Sequence, residues 1–217
     1  MKKLFCYIGF LFSYIVTLNG YNVIKGIHKY CYTGFFKRFF ASFGKNSVIN
    51  PSLLMLVGAR YIHVGNNVYI GSRVQLTAWD KIGKISYHPE ILLGDNVSIG
   101  DESQVTAINR IIIGNGVLTG KKVLITDNAH GRFNETDIFK KPLEIDMFSK
   151  GPVIIKDNVW IGEKSTILAG VTIGVGCIIG ANSVVTKDVP DFCMVAGAPA
   201  KIIKRLNMNF KYYESSN

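Results

Sequence analysis

The sequence predicts an all-β fold, a left-handed parallel β-helix, and two observations lead to it. In the C-terminal third of the chain aliphatic residues recur every six positions, at Ile155, Ile161, Ile167, Ile173, Ile179 and Val185. Each is followed, four positions later, by a small or β-branched residue: Val159, Ser165, Val171, Cys177, Ser183 and Val189. Such a hexapeptide repeat is typical of a solenoid whose short strands bury their inward residues against the coils above and below.

Three six-residue strands would fill one coil, and the same register returns earlier in the chain. It is visible at Val64, Ile70 and Leu76, at Leu93, Ile99 and Val105, and after a two-residue slip at Ile113, Thr119 and Ile125. Glycine, asparagine and aspartate supply the turns between faces. A β-sandwich or jelly roll would show turn signals about every 8–12 residues, and the strict spacing disfavours it.

Two stretches without the repeat, residues 79–91 and 131–152, are predicted to project as loops from corners of the solenoid. The chain then divides into three parts. Residues 1–45 form an apolar and basic N-terminal helical extension, residues 46–200 the β-helix with both loops, and residues 201–217 a short C-terminal helix or extension. We expect the C-terminal part to cover the open end of the solenoid.

Composition limits the class of partner. The chain has 217 residues, 25 Lys and Arg against 15 Asp and Glu, and this excess favours phosphate, anionic lipid or nucleic acid. Nucleic acid is disfavoured, because no zinc-finger spacing, RNP-type run or basic recognition helix occurs. The four cysteines (Cys6, Cys31, Cys177, Cys193) have no CxxC spacing, so we expect a reducing, cytoplasmic location.

The N-terminal extension leaves its relation to a membrane open. The segment 4–18 is apolar but shorter than the roughly 20 residues that span a bilayer, so an interfacial or core-docked helix, a spanning anchor and a cleaved signal are all alternatives. Basic residues then alternate with aromatic ones: Lys25, Lys29, Lys37 and Arg38 with Tyr30, Tyr32, Phe35, Phe36, Phe39 and Phe40. These aromatics either cap the solenoid or lie on the inner face of the cytoplasmic membrane.

Three segments carry a resemblance to a known family: Ile125-Thr-Asp-Asn-Ala-His-Gly131, Asn158-Val-Trp-Ile-Gly162 and Gly197-Ala-Pro-Ala-Lys201. In this order, across residues 62–206, they resemble the hexapeptide-repeat acetyltransferases, nearest the galactoside and maltose acetyltransferases and the O-acetyltransferases of capsule and lipopolysaccharide synthesis. The resemblance implies an acetyl-CoA-dependent O-acetyltransferase for a sugar or polysaccharide-precursor hydroxyl. It also implies a homotrimer with acetyl-CoA in grooves between subunits.

Acetyl transfer to a hydroxyl needs a base near neutral pH, because an alcohol attacks a thioester well only as it loses its proton. His130 closes a coil where the chain leaves for the loop 131–152. Position alone also allows a structural histidine, but the resemblance makes His130 the general base of a direct transfer in a ternary complex. We interpret His28, His63 and His88 as structural or surface residues.

The remaining site predictions depend more on the resemblance. Alternation along the strand turns Trp160 outward, toward a substrate or the CoA arm. Asp127 could orient His130 or bind an acceptor hydroxyl, although an exposed turn aspartate is the commoner outcome. Lysines suit the phosphates of CoA, or are solvated surface residues. The family's cofactor contacts correspond to Trp160, Ala181, Thr186, Lys187, Lys201 and Lys204.

Two departures from the family pattern concern the acceptor and CoA. Gly100 stands where galactoside acetyltransferases have an asparagine, and Glu163 where they have a serine that contacts CoA, so the acceptor pocket is predicted to differ.

A γ-type carbonic anhydrase, which has the same fold, needs three histidines on zinc, two of them five residues apart. The histidines at 28, 63, 88 and 130 contain no such pair, and no metal is expected. A non-catalytic scaffold or membrane-docking protein, and an acetyltransferase for an amine or antibiotic, stay open.

Overall fold

The computed structural model describes residues 2–13, 17–132, 134–135 and 137–206. Two helices come first, α1 (Lys2–Ser13) and α2 (Leu18–Phe36). The strands, in chain order, are β1 (Ser42–Phe43), β2 (Val48–Ile49), β3 (Met55–Val57), β4 (Ile62–Val64), β5 (Tyr69–Ile70), β6 (Gln75–Ala78), β7 (Lys81–Ile82), β8 (Ile85–Ser86), β9 (Glu90–Leu93), β10 (Ser98–Ile99), β11 (Gln104–Ala107), β12 (Arg110–Ile113), β13 (Leu118–Thr119), β14 (Leu124–Thr126), β15 (Ala129–His130), β16 (Met147–Phe148), β17 (Val153–Ile155), β18 (Trp160–Ile161), β19 (Thr166–Ile167), β20 (Thr172–Ile173), β21 (Ile178–Ile179), β22 (Val184–Val185), β23 (Cys193–Gly197) and β24 (Ala200–Arg205). Short 3-10 turns occupy Lys37–Phe39, Ala59–Tyr61 and Pro142–Glu144.

Three parallel sheets form the solenoid, and successive strands of a coil enter successive sheets. The first sheet has the order β1-β4-β9-β12-β17-β20, the second β2-β5-β10-β13-β18-β21-β23-β24, and the third β22-β19-β14-β11-β6-β3. The predicted left-handed parallel β-helix is confirmed. Ile155 shows why the spacing works: it pairs with Ile113 below and Ile173 above, and all three are almost completely buried.

Corner residues explain the asparagines and glycines between strands. Asn67, Asn96 and Asn158 have φ of 55°, 58° and 57° in the left-handed region, which asparagine tolerates better than most residues. Side-chain oxygens at the preceding position link the coils; the backbone N–H of Asn115, for example, donates to Asp157 Oδ1 at 2.7 Å. At these corners the turn chemistry therefore agrees with the strand spacing, whereas Arg73, Glu102 and Lys122 adopt the same left-handed φ at other corners.

Helix α2 covers the open N-terminal end. The Thr33 hydroxyl accepts the N–H of Ile49 in β2 at 2.9 Å, and the Tyr32 hydroxyl accepts the N–H of Leu53 at 3.0 Å, so donors of the first coil find partners. Three aromatic side chains pack on the core, as expected if the aromatic segment caps the solenoid: Tyr32, Phe36 and Phe40. The other three aromatics of that segment are exposed: Tyr30, Phe35 and Phe39. No helix among the described residues is both long and apolar enough to cross a bilayer.

The C-terminal end differs from its predicted helix. Residues Ala200–Arg205 form β24, which runs antiparallel to β23, and β23 in turn extends the sheet beyond β21. The prediction of a helix for this segment was wrong, and the alternative prediction of an extended segment is correct for residues 201–205. A sheet edge offers unpaired N–H and C=O groups, and pairing with them outweighs local helix propensity. Residues 207–217 of the predicted extension lie outside the described residues.

The two stretches without repeats leave the solenoid between strands that still stack in register. Val64 pairs with Leu93, 29 positions later, and Ile113 with Ile155, 42 positions later, whereas the uninterrupted coil from Ile155 to Ile173 takes 18. The first insertion carries the hairpin β7–β8, and the second carries β16, which pairs with β15 just before the insertion begins. Strand β1 begins at residue 42, before the expected start of the β-helix at 46.

Candidate active site

A cavity of about 480 Å³ lies beside His130, where the third sheet meets both insertions. Strands β11 and β14 form its floor through outward side chains, because alternate residues of a strand point away from the core. The insertions supply its walls. The residues that line it are Trp79, Ile82, Gln104, Thr106, Leu124, Thr126, Asn128, Ala129, His130 and Met147.

His130 lies on a strand that is held from two sides. It pairs antiparallel with Met147 of β16, and the Met147 carbonyl accepts a hydrogen bond from the Tyr87 hydroxyl of the first insertion at 3.0 Å. The two insertions are thereby tied together behind the histidine. Its ring is exposed, and no side chain among the described residues hydrogen-bonds to it. The imidazole is therefore free to contact a bound molecule.

Asp127 is completely buried, so the preference for an exposed turn aspartate was wrong. Its carboxylate oxygens accept the backbone N–H groups of Ile108 and Asn109, each at 2.9 Å, and Oδ1 also accepts from the Asn128 amide at 3.1 Å. Burial raises the pKa of the Asp127 carboxyl, and these donors oppose the rise. The residue ties the coil that ends in His130 to the preceding coil, and its oxygens face the backbone, not the imidazole.

Threonines line up across three coils on the outward side of the third sheet: Thr77 pairs with Thr106, and Thr106 with Thr126. Asn128 closes this row. Its amide nitrogen donates to the Thr106 carbonyl at 3.2 Å and its backbone N–H to Thr126 Oγ1 at 3.2 Å, while its amide oxygen accepts from no described residue. Thr77 Oγ1 is buried without a hydrogen-bond partner among the described residues.

Among the described residues that line this cavity, His130 is the one titratable side chain. The others offer an indole, aliphatic surface, threonine hydroxyls and the amides of Gln104 and Asn128. Sequence reasoning missed Trp79, Thr106 and Asn128. Asn128 could have been suspected from its place two residues before His130, but nothing in the repeat marks Trp79 or Thr106 as neighbours of that histidine.

Trp160 faces outward as alternation predicted, with 52% of its surface exposed. It lies on the second sheet, in register between Leu118 and Ile178, and does not line the cavity beside His130. Within one chain the structure therefore leaves Trp160 and His130 on different faces of the solenoid.

The other predicted cofactor residues gather at the C-terminal end of the solenoid. Ala181 lies in the turn between β21 and β22, Thr186 and Lys187 follow β22, and Lys201 and Lys204 belong to β24. The three lysines are exposed, and no carboxylate of the described residues comes within salt-bridge distance of any of them. These ammonium groups are available to a phosphorylated ligand, and none lines the cavity beside His130.

The packing around Gly100 explains why this position cannot hold the asparagine that galactoside acetyltransferases have there. A Cβ atom built on Gly100 would lie 2.2 Å from the Gly120 carbonyl oxygen of the next coil, too close for any side chain without a backbone shift. The coils touch at this corner. An asparagine at position 100 is therefore excluded by the packing of the coils, and Asn128 is one of two residues that bring an amide into the cavity beside His130.

Comparison with known proteins agrees with the fold. The family model of the bacterial transferase hexapeptide (six repeats) matches residues 152–187. The solved structure of a mutant of AntD, an N-acyltransferase from Bacillus cereus in complex with dTDP-4-amino-4,6-dideoxyglucose and coenzyme A, superposes with a TM-score of 0.64 over 80% of this chain and 88% of that one. At 22% identity this likeness establishes the fold alone.

Curated relatives are more similar in sequence. The putative lipopolysaccharide biosynthesis O-acetyl transferase WbbJ of Escherichia coli (strain K12) is 36% identical over 158 residues, 71% of this chain and 77% of the relative. The galactoside O-acetyltransferase of the same organism is 32% identical over 177 residues, 82% of this chain and 70% of the relative. The chain therefore belongs to the hexapeptide-repeat acetyltransferases, acyltransferases whose acetyl donor is acetyl-CoA.

Proposed function

We propose that the protein transfers an acetyl group to a hydroxyl of an uncharged sugar within a polysaccharide or its precursor. The cavity beside His130 carries this proposal. The flat indole of Trp79 suits the apolar face of a pyranose ring, and Gln104, Thr106 and the free amide oxygen of Asn128 suit its hydroxyls. A positively charged amine as acceptor would be expected to bind a carboxylate, but none of the described lining residues carries one. The nearby Asp127 carboxylate is occupied by buried backbone N–H groups. A hydroxyl acceptor is therefore favoured over an amine.

In the proposed reaction His130 takes the proton of the acceptor hydroxyl as its oxygen attacks the acetyl carbonyl carbon. Acetyl-CoA supplies the thioester, and the C–S bond breaks as the new C–O ester bond forms. The described residues that line the cavity include no serine or cysteine, which supports direct transfer in a ternary complex without an acyl-enzyme. The pair β15–β16 and the Tyr87 hydrogen bond hold the base in place.

Acetyl-CoA is proposed to contact Trp160, Ala181 and Thr186, with Lys187, Lys201 and Lys204 at its phosphates. Because Trp160 and His130 lie on different faces of one chain, a complete site requires a second copy that brings its Trp160 to the first copy's histidine. The outward apolar row of Leu118 and Trp160, about half exposed, also needs a partner surface. A closed homotrimer with one site at each interface satisfies both requirements.

Residues 1–45 are proposed to hold the protein at the inner face of the cytoplasmic membrane. Helix α1 exposes a set of apolar side chains: Leu4, Phe5, Tyr7, Ile8 and Leu11. On α2 a second exposed apolar set, the outer stripe, is formed by Val23, Ile24, Ile27 and Tyr30. No aspartate or glutamate occurs before Asp80, so this region is attracted to anionic lipid.

The acceptor class can be tested with radiolabelled acetyl-CoA and paired acceptors that differ at one atom, a neutral hexoside and its amino analogue. We expect acetyl transfer to the hydroxyl compound to exceed transfer to the amine at least tenfold in kcat/KM. Faster acetylation of the amine would contradict the proposal. Calorimetry that detects no acetyl-CoA binding would instead favour a non-catalytic scaffold.

The two tryptophans provide a matched test of the site. Trp79→Ala should raise the KM of the acceptor about tenfold or more and leave that of acetyl-CoA unchanged, because an aromatic contact typically contributes about 1–3 kcal/mol. Trp160→Ala should raise the KM of acetyl-CoA and leave that of the acceptor unchanged. Steady-state kinetics with each substrate varied in turn measures both. The assignment fails if the two variants affect the same substrate.

Membrane attachment can be separated from folding. Removing residues 1–16 and changing Ile24→Ser and Ile27→Ser should move the protein into the soluble fraction, because the apolar surface of α1 and the outer stripe are lost together. Tyr32, Thr33 and Phe36 remain, so the β-helix stays capped. Light scattering should give three times the chain mass for both proteins. Unchanged membrane partitioning would exclude the anchor, and a monomer would exclude the trimer.

A further inference from the structure

Three side chains meet at the base of the first insertion, just outside the cavity beside His130. Asp80 directly follows Trp79 and precedes the hairpin β7–β8. Its Oδ2 accepts hydrogen bonds from the Tyr61 hydroxyl at 3.0 Å and from the Arg60 guanidinium. We call Arg60, Tyr61 and Asp80 the Asp80 cluster. The cluster connects the first insertion to the coil that precedes it.

Tyr61 is the firmer of the two donors to Asp80. Its ring is half-buried and packs on the hydrophobic core, so its hydroxyl has a fixed place. The Arg60 side chain is 70% exposed, and an ion pair with such an exposed partner contributes little. The pKa of the Asp80 carboxyl is lowered, chiefly by the Tyr61 hydrogen bond and then by Arg60, so both donors meet a carboxylate at neutral pH.

The backbone on both sides of Asp80 is held as well. The Trp79 N–H donates to the Ala107 carbonyl at 2.8 Å, which continues the pairing of β6 with β11. The Asp80 carbonyl accepts the N–H of Tyr87 at 2.8 Å and so closes the base of the hairpin β7–β8. Asp80 is therefore a point at which the first insertion is fixed to the solenoid.

The indole of Trp79 depends on this attachment. It is half-buried and lines the cavity beside His130, yet among the described residues no side chain hydrogen-bonds to it or stacks on its ring. Ile82 of β7, two residues beyond Asp80, lines the same cavity. Two apolar lining residues thus stand on either side of the residue whose carboxylate is tied to the preceding coil.

We infer that Asp80, held by Tyr61 and Arg60, is a positioning residue that sets Trp79 against the acceptor sugar. An indole that stacks on a pyranose must keep its plane parallel to the sugar, and a displacement of about 1 Å is enough to weaken such an arrangement. This inference rests on the proposed function for the identity of the acceptor. It does not depend on His130 as the base or on the binding of acetyl-CoA.

Asp80→Ala should raise the KM of the acceptor about threefold or more, because a hydrogen bond to a charged group contributes on the order of tenfold and part of that loss reaches the indole. The KM of acetyl-CoA should be unchanged and kcat should stay within about twofold, since His130 is held by β16. Asp80→Asn keeps one acceptor oxygen and should restore most of the affinity. In a Trp79→Ala protein the change at Asp80 should have no further effect, because the indole through which it acts is gone.

Two matched variants separate positioning from a general loss of stability. Glu90→Ala removes a carboxylate that is 37% exposed, as Asp80 is, and that is also paired with an arginine, but Glu90 does not line the cavity. Tyr32→Phe removes another half-buried hydroxyl, one that caps the first coil. Both should leave the KM of the acceptor unchanged, whereas Tyr61→Phe should raise it. An equal rise in the two controls, or no rise with Asp80→Ala, would overturn the inference.

Fluorescence provides a measurement that needs no reaction. The sequence holds two tryptophans, so Trp160→Phe leaves Trp79 as the one indole. In that protein Asp80→Ala should shift the emission of Trp79 to longer wavelength and raise its quenching by acrylamide, because the indole becomes more accessible to water. Unchanged emission and quenching would overturn the inference. If the unchanged protein acetylates no hydroxyl acceptor, the proposed function fails, and the fluorescence still decides whether Asp80 positions Trp79.

Discussion

Replacing His130 with alanine is expected to lower kcat about 10²- to 10⁴-fold, the usual loss when a general base is removed. The acceptor hydroxyl then has no group in the cavity that can take its proton, because the other described lining residues are not titratable. The affinity for acetyl-CoA and the trimer should be unchanged, since the imidazole bonds to no other described side chain. Turnover, calorimetry and light scattering measure the three quantities.

His88→Ala is the matched control, because His88 is an exposed histidine of the first insertion that does not line the cavity. It should keep near wild-type turnover. Near wild-type turnover in His130→Ala on the true acceptor would contradict the mechanism, and a burst of acetylated enzyme would indicate a covalent route.

Asp127→Ala should lower the free energy of unfolding by about 2–5 kcal/mol, because it leaves the buried N–H groups of Ile108 and Asn109 without acceptors. The strand that carries His130 starts two residues later, so turnover should fall as well. Urea denaturation at a fixed protein concentration measures the loss, because stability of an oligomer depends on concentration.

Asp127→Asn is the control for this prediction. An asparagine retains one acceptor oxygen of similar shape, so it should lose less stability than alanine. Both variants should keep the fold at low temperature. A change below about 0.5 kcal/mol for Asp127→Ala, the range of ordinary surface substitutions, would show that the carboxylate does not hold these two coils together.

The hexapeptide spacing was sufficient to predict the core. Ile161, Ile167 and Cys177 lie inward as expected, because in a solenoid each residue meets its own equivalents one coil away and a local pattern thereby specifies long-range contacts. The pattern failed at the ends. Residues 200–205 have no coil beyond them, and pairing with the free edge of β23 made them a strand where local sequence suggested a helix.

The candidate site was likewise only partly predictable from the sequence. His130 could be identified from its motif and from its place at the end of a coil, and the outward direction of Trp160 from alternation alone. The burial of Asp127 could not, since it depends on two backbone N–H groups of the preceding coil. Trp79 and Thr106 reach His130 only through the stacking of coils and the packing of insertions. A repeat specifies the contacts of residues that obey it, whereas the insertions obey no repeat, and their packing is decided by the tertiary structure.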